Sequence, residues 1–279
     1  MPYKIILVHL DESSRVQARV KLAAAIAVAD EAHLIGASMI GTSTQPFQQV
    51  NVSEKDPTLT KHLEFLRDRA ASAVAGFEPV VKSMGVTSYE GRVVDGEAGD
   101  GISLQARYAD LVIVGQTDLD EPAPVVSPDF PEHVVLHAGR PVLVVPRMGE
   151  FASVGKKVLI SWDASRGATR AITDAIPLLQ RADVVQVAVF NVEEKSAAHG
   201  EEPGLDLALY LARHGVKVDV LQQQTTRDIG RAVLALAGEL SSDLIVMGAY
   251  GHSRFRQMLL GGVTRTVLQN MHIPVLMSH

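Results

Sequence analysis

Two stretches of this chain repeat one another in order, and that self-similarity constrains the fold more than any other feature. Ile5 to Leu10 followed by Asp11-Glu12-Ser13 lines up with Lys157 to Trp162 followed by Asp163-Ala164-Ser165, in each case an apolar run ending at an acid and a serine. Ala109-Asp110-Leu111-Val112-Ile113-Val114-Gly115 lines up with Ser242-Asp243-Leu244-Ile245-Val246-Met247-Gly248, and Arg140-Pro141-Val142-Leu143-Val144 with Ile273-Pro274-Val275-Leu276-Met277. Asp11 and Asp163 are 152 residues apart, whereas Asp110 and Asp243 are 133 apart, so the second copy is 152 − 133 = 19 residues shorter. The natural place for the loss is after the second strand, where the first copy carries residues 41–84 and the second only 193–214.

Within each copy, short β-branched runs alternate with helical periods. The pattern predicts strands at 4–9, 34–39, 87–93, 110–115 and 141–145, with helices at 14–31, 57–84, 98–108 and 129–138. The second copy repeats this with strands at 157–162, 184–191, 216–221, 243–248 and 273–277 and helices at 166–181, 203–214, 227–240 and 262–271. Such alternation implies βαβ units and an α/β fold of two tandem, doubly wound, open parallel five-stranded sheets. Ligands of these folds sit at the carboxyl ends of the strands. The expected domains are 1–147 and 156–279, joined by a short glycine-bearing connection.

Composition removes several functions. The chain has 279 residues and no cysteine, which excludes disulfides, thiolate metal sites and a cysteine nucleophile. A net charge of −6 and 13 aromatic residues argue against nucleic acid as a partner. No apolar run reaches the roughly 18 residues of a membrane span, and the N-terminus reads as a strand rather than a signal peptide. A soluble, cytoplasmic protein is the expectation.

The chemistry concentrates after the fourth strand of the second copy. Gly248-Ala249-Tyr250-Gly251-His252-Ser253-Arg254 leads through Met258-Leu259-Leu260 to Gly261-Gly262-Val263-Thr264, a G-x2-G-x9-G-G-x-T spacing between a strand and a helix. Glycines let the backbone turn sharply and approach a ligand. The first amides of the following helix lack intrahelical acceptors and face an anion with the positive end of the helix dipole. Thr264 adds a hydroxyl, and His252, Arg254 and Arg256 bring side chains suited to phosphate. The first copy loses this loop: Gly115 is followed by Asp118, Asp120, Glu121 and three prolines, a run that places negative charge and removes amides.

This pattern resembles the universal stress protein family in its ATP-binding, tandem two-domain form, whose fold is Rossmann-like, of the adenine nucleotide alpha hydrolase kind. The resemblance implies an adenine nucleotide, ATP with Mg2+, in the second domain and a regulatory, stress-response binding role. Carried over by position, Asp163 faces the adenine and ribose region, Val192 packs on adenine, and Met247 and Gly248 lie at the fourth-strand end. Gly251, Gly261, Gly262, Val263 and Thr264 match the ribose and phosphate contacts. Two positions depart from the family pattern: Gly262 stands where Ser or Thr is usual, and Ser161 replaces a proline two residues before the acid. The resemblance further implies pairing of the fifth strands, here between the two copies of one chain through Val142–Val145 and Val275–Met277, and leaves association of two chains open.

The same loop admits two other readings, a slow ATP-hydrolysing or phosphoryl-transfer enzyme and a scaffold without nucleotide. No G-x-S-x-G elbow and no Walker A lysine-serine pair occurs in the sequence, so no dedicated catalytic residue is assigned. His133 and His137 stand four apart on a predicted helix beside Glu132; a solvated helix face explains them better than a metal, for which no further ligand is near in sequence.

Overall fold

A computed structural model describes residues 2–41, 57–118, 120–121, 126–192, 204–250 and 262–279. The chain divides into two compact units, Pro2–Arg140 and Pro141–His279.

The first unit contains β1 (Ile5–Leu10), α1 (Val16–Asp30), β2 (His33–Met39), α2 (Pro57–Ser83), β3 (Tyr89–Val94), α3 (Ala98–Ala106), β4 (Leu111–Gly115) and α4 (Phe130–His137). Its strands run parallel in the order β3-β2-β1-β4. Ile6, Leu7, Leu34, Leu111 and Ile113 are fully buried, as expected for apolar strands covered on both faces by helices.

The second unit begins with β5 (Val142–Val145) and continues with β6 (Lys157–Trp162), α5 (Arg166–Leu179), β7 (Val184–Phe190), α6 (Leu205–Arg213), β8 (Asp219–Gln223), α7 (Ile229–Glu239), β9 (Leu244–Gly248), α8 (Val263–Asn270) and β10 (Val275–Ser278). β10-β9-β6-β7-β8 is parallel, the mirror order of the first unit. β5 lies antiparallel along β10, with Val144 opposite Val275 and Val142 opposite Met277. This strand is the fifth of the first repeat by sequence, yet its contacts group it with the second unit.

The shortening of the second repeat falls where the sequence placed it. α2 has 27 residues and its counterpart α6 has 9, a difference of 18 out of the 19 lost. β8 is the main displacement from expectation: the strand predicted at 216–221 is found at Asp219–Gln223. Val216 is instead buried in the turn after α6, and pairing with β7 from Gln186–Asp219 to Phe190–Gln223 sets the register.

Asp110 and Asp243, aligned by the repeat, do the same job at the end of each sheet opposite the candidate site. Asp110 accepts hydrogen bonds from the Lys4 and Ile5 amides, and Asp243 from those of Gly155, Lys156 and Lys157. Each ties the start of its repeat's first strand to the start of the fourth.

Candidate functional site

The ends of β1 and β6 carry the same local device. Asp11 Oδ1 accepts from the Ser13 amide at 3.1 Å, and Asp163 Oδ1 from the Ser165 amide at 3.0 Å, an Asx turn that aims each carboxyl at the strand ends. Ser165 then caps α5, its hydroxyl accepting from the Ala168 amide.

In the second repeat, Ser161 sits in β6 between Ala188 and Met247, and Asp163 is half-buried. Met247 is buried beside Ser161, and Gly248 ends β9. A Cβ on Gly248 would stand 2.3 Å from the Ala168 nitrogen and 2.6 Å from the Gly167 carbonyl carbon. Only glycine lets the first turn of α5 approach the strand end so closely. Gly167, which sequence reasoning did not single out, is the other half of this contact: its own Cβ would meet the Ala249 and Ser278 carbonyl oxygens at 3.2 and 3.3 Å. A glycine in the first turn of a helix was the available signal. Val192 follows β7 and is half-buried. The turn before it is held by Asn191, which donates to the Thr225 carbonyl and accepts from the Thr225 amide.

Gly262 is the N-cap of α8 in an extended conformation, with no side-chain cap. Val263 and Thr264 open the helix, and Thr264 is buried with its Oγ1 accepting from the Tyr250 amide at 3.2 Å. This bond joins the chain just after β9 to the start of α8. It makes Thr264 a brace for the loop as well as a hydroxyl-bearing side chain at its exit. Gly251, His252, Arg254 and Gly261 lie outside the described residues, as does Arg256. Among the described residues the structure therefore brings Asp163, Gly248 and the α8 start to the carboxyl end of one sheet.

The first repeat answers the same positions with its own side chains. The Arg19 side chain, 3% exposed, lies with Nη2 2.8 Å from Asp11 Oδ1 and donates from Nε to the His9 carbonyl. A Cβ on Gly115 would stand 2.3 Å from Arg19 Nη1, so the guanidinium fits against the strand end where α5 sits in the other repeat. The aligned residue there is Ala171, fully buried. Burial works against the Asp11 charge, but Arg19, His9 and the Ser13 hydroxyl together hold its carboxyl well below the usual range. Burial pushes the neighbouring His9 down to about 4, so it is neutral. Glu121, read from sequence as repelling phosphate, docks on the turn before α1, accepting from the Ser14 amide and hydroxyl.

His133 and His137 stack at 4.2 Å; His133 Nε2 is 3.0 Å from Asp100 and His137 Nδ1 donates to the His133 carbonyl. Among the described residues no group of three or more His, Asp or Glu side chains is arranged to hold a metal, and no helix is long and apolar enough to cross a membrane.

The model of the universal stress protein family matches residues 2–146 and 155–279, and the chain belongs to that family. Universal stress protein Slr1230 of Synechocystis sp. is 28% identical over 150 residues, 52% of this chain and 49% of the relative, so the match spans about half of each. A universal stress protein from Archaeoglobus fulgidus shares the fold at full length, with a TM-score of 0.75, 15% identity, and coverage of 98% of this chain and 94% of that one. A universal stress protein solved in complex with cAMP is 25% identical over 52% of this chain and 98% of its own, with a TM-score of 0.40.

Proposed function

We propose that the second repeat binds an adenine nucleotide, ATP with Mg2+, and that occupancy of this site regulates contacts of a stress-response binding protein. The reading rests on one juxtaposition: Asp163, the close-approach glycine Gly248 and the uncapped start of α8 at Gly262–Thr264 share the carboxyl end of a parallel sheet. The donor set suits the ligand. Free amides at the α8 start, with the dipole behind them, favour phosphate, and Asp163 accepts from ribose hydroxyls. Magnesium would ride on the phosphate oxygens and keep its waters, as it usually does.

The first repeat serves as the structural partner. Arg19 and Glu121 already supply a cation and an anion at the places where a nucleotide would bring its own partners. Pairing of the two repeats' fifth strands within one chain is supported by the register of β5 on β10; it would satisfy edges that otherwise invite association.

The test is to heat-denature the purified protein, analyse the released small molecules, and titrate Mg-ATP by calorimetry. Wild type is expected to release or bind an adenine nucleotide, and Asp163→Ala to lose it while remaining folded. Recovery of no nucleotide together with no heat of binding would overturn the reading. Turnover above the buffer rate, abolished in Asp163→Ala, would instead favour the enzyme.

A further inference from the structure

The chain leaves β9 through two residues whose conformation is fixed from the end of β10. The Ala249 amide donates to the Ser278 carbonyl at 2.9 Å, and the Ala249 carbonyl accepts from His279 Nδ1 at 3.1 Å. Both polar groups of this buried residue are thus taken by consecutive residues of the neighbouring strand's end. Ser278 is itself tied to α5, its hydroxyl donating to Asp174 Oδ2 at 2.8 Å. The next residue, Tyr250, has a φ of 55°. Left-handed backbone is uncommon for a bulky side chain and persists where the surroundings hold it. Two contacts do so: the Tyr250 amide donates to Thr264 Oγ1 at the start of α8, and the Tyr250 ring stands edge-on to the His279 ring, 6.3 Å apart at 79°.

The side chains that make these ties are replaced in the first repeat. By the 133-residue offset Thr264 and His279 become Pro131 and Pro146, and proline offers neither a hydroxyl nor a side-chain donor. Tyr250 becomes Thr117, whose hydroxyl donates to the Pro128 carbonyl, so the exit from β4 is tied within its own connection. His279 therefore accompanies the glycine-rich segment, residues 248–262, and is missing from the repeat that lacks it.

We infer that, given adenine nucleotide binding by the second repeat, His279 is a positioning residue for that site, holding the exit from β9 in the conformation from which the glycine-rich segment starts. Its ring acts through Ala249 and Tyr250. Without the Nδ1 donor the buried Ala249 carbonyl loses its side-chain partner, and Tyr250 loses the ring packed against it. The left-handed turn is then free to relax, and the segment that must meet the ligand is no longer preset, so binding has to supply the ordering. A carbonyl oxygen only accepts, so the bond also fixes the tautomer: the neutral ring carries its proton on Nδ1.

The test compares the wild-type full chain with His279→Leu, which keeps the bulk and loses the donor, and His279→Asn, whose amide N–H replaces Nδ1–H. Calorimetric titration with Mg-ATP should show binding about fivefold weaker in His279→Leu, the equivalent of one hydrogen bond, and restored in His279→Asn. Equal affinity in the three proteins, or no rescue by asparagine, would overturn the assignment. Without nucleotide, hydrogen exchange at the Tyr250 amide should be faster in His279→Leu and return to the wild-type rate in His279→Asn; unchanged exchange counts against the tie. Nitrogen-15 spectra of the wild-type imidazole should show the proton of the neutral His279 ring on Nδ1, and a proton on Nε2 instead would refute the bond even if His279→Leu failed to fold. Should the wild type bind no nucleotide, the nucleotide reading falls and the positioning role falls with it, whereas the exchange and nitrogen measurements still decide whether His279 holds the turn.

Discussion

Arg19 reaches from α1 to place its guanidinium 2.8 Å from the Asp11 carboxylate at the end of β1, both side chains largely shielded from water. Removing one member of a buried pair leaves the other charged and alone, which costs about 3–5 kcal/mol. Arg19→Ala, the residue its repeat carries at position 171, should therefore lower stability by that amount in a urea melt. The double change Arg19→Met with Asp11→Asn should recover most of it. A loss in Arg19→Ala below 1 kcal/mol would show that the pair behaves like a surface bridge.

His9 makes the first repeat acid-sensitive. Its folded pKa of about 4 lies below the ordinary 6.5, so between these values the unfolded chain binds the extra proton. Stability is full above pH 6.5 and falls as pH drops toward 4, by about 3 kcal/mol in all. Asp11, held below its usual range, extends the loss at lower pH. Unfolding free energy measured from pH 7 down to 4 should show this slope, and His9→Phe should flatten it.

The two strand-end glycines should respond differently to alanine. Gly248→Ala drives a Cβ into the backbone of α5 and should cost about 3 kcal/mol, the upper end for overpacking, in any background. Gly115→Ala meets the Arg19 side chain instead; it should destabilise the wild type and be nearly neutral in Arg19→Ala. A double-mutant cycle reads the coupling, and additive effects would disprove the contact.

Gly262 sits at an N-cap in a conformation open to any residue, without a side-chain cap. Gly262→Ser should add a few tenths of a kcal/mol to stability and tighten ATP by supplying the hydroxyl usual in the family. A calorimetric titration comparing the two proteins checks this, and weaker binding by the serine variant would count against phosphate at the α8 start.

Much of the scaffold was legible before any coordinates, because parallel strands buried on both faces announce themselves as apolar runs and a duplicated sequence states the order twice. The Asx turns at Asp11 and Asp163 follow from residue types whose backbone behaviour is local, whereas the close approach at Gly248 exists only once α5 packs against the strand end. β8 was misplaced by about three residues because an edge strand takes its register from its neighbour. Arg19 lies inside a helical period that gives no sign of its partner, and Glu121 reads as negative charge where phosphate would sit; each meets its partner only after folding, Glu121 across 107 positions to Ser14.

The amino-acid order by itself therefore determined a duplicated α/β protein with one glycine-rich loop, since periodicity, glycine freedom and helix-end amides are local properties of the chain. How the first repeat fills its strand end, with Arg19 against Asp11 and Glu121 on the turn before α1, was decided by tertiary structure. A charge's effect depends on what lies within a few ångströms of it, and that distance is set by packing.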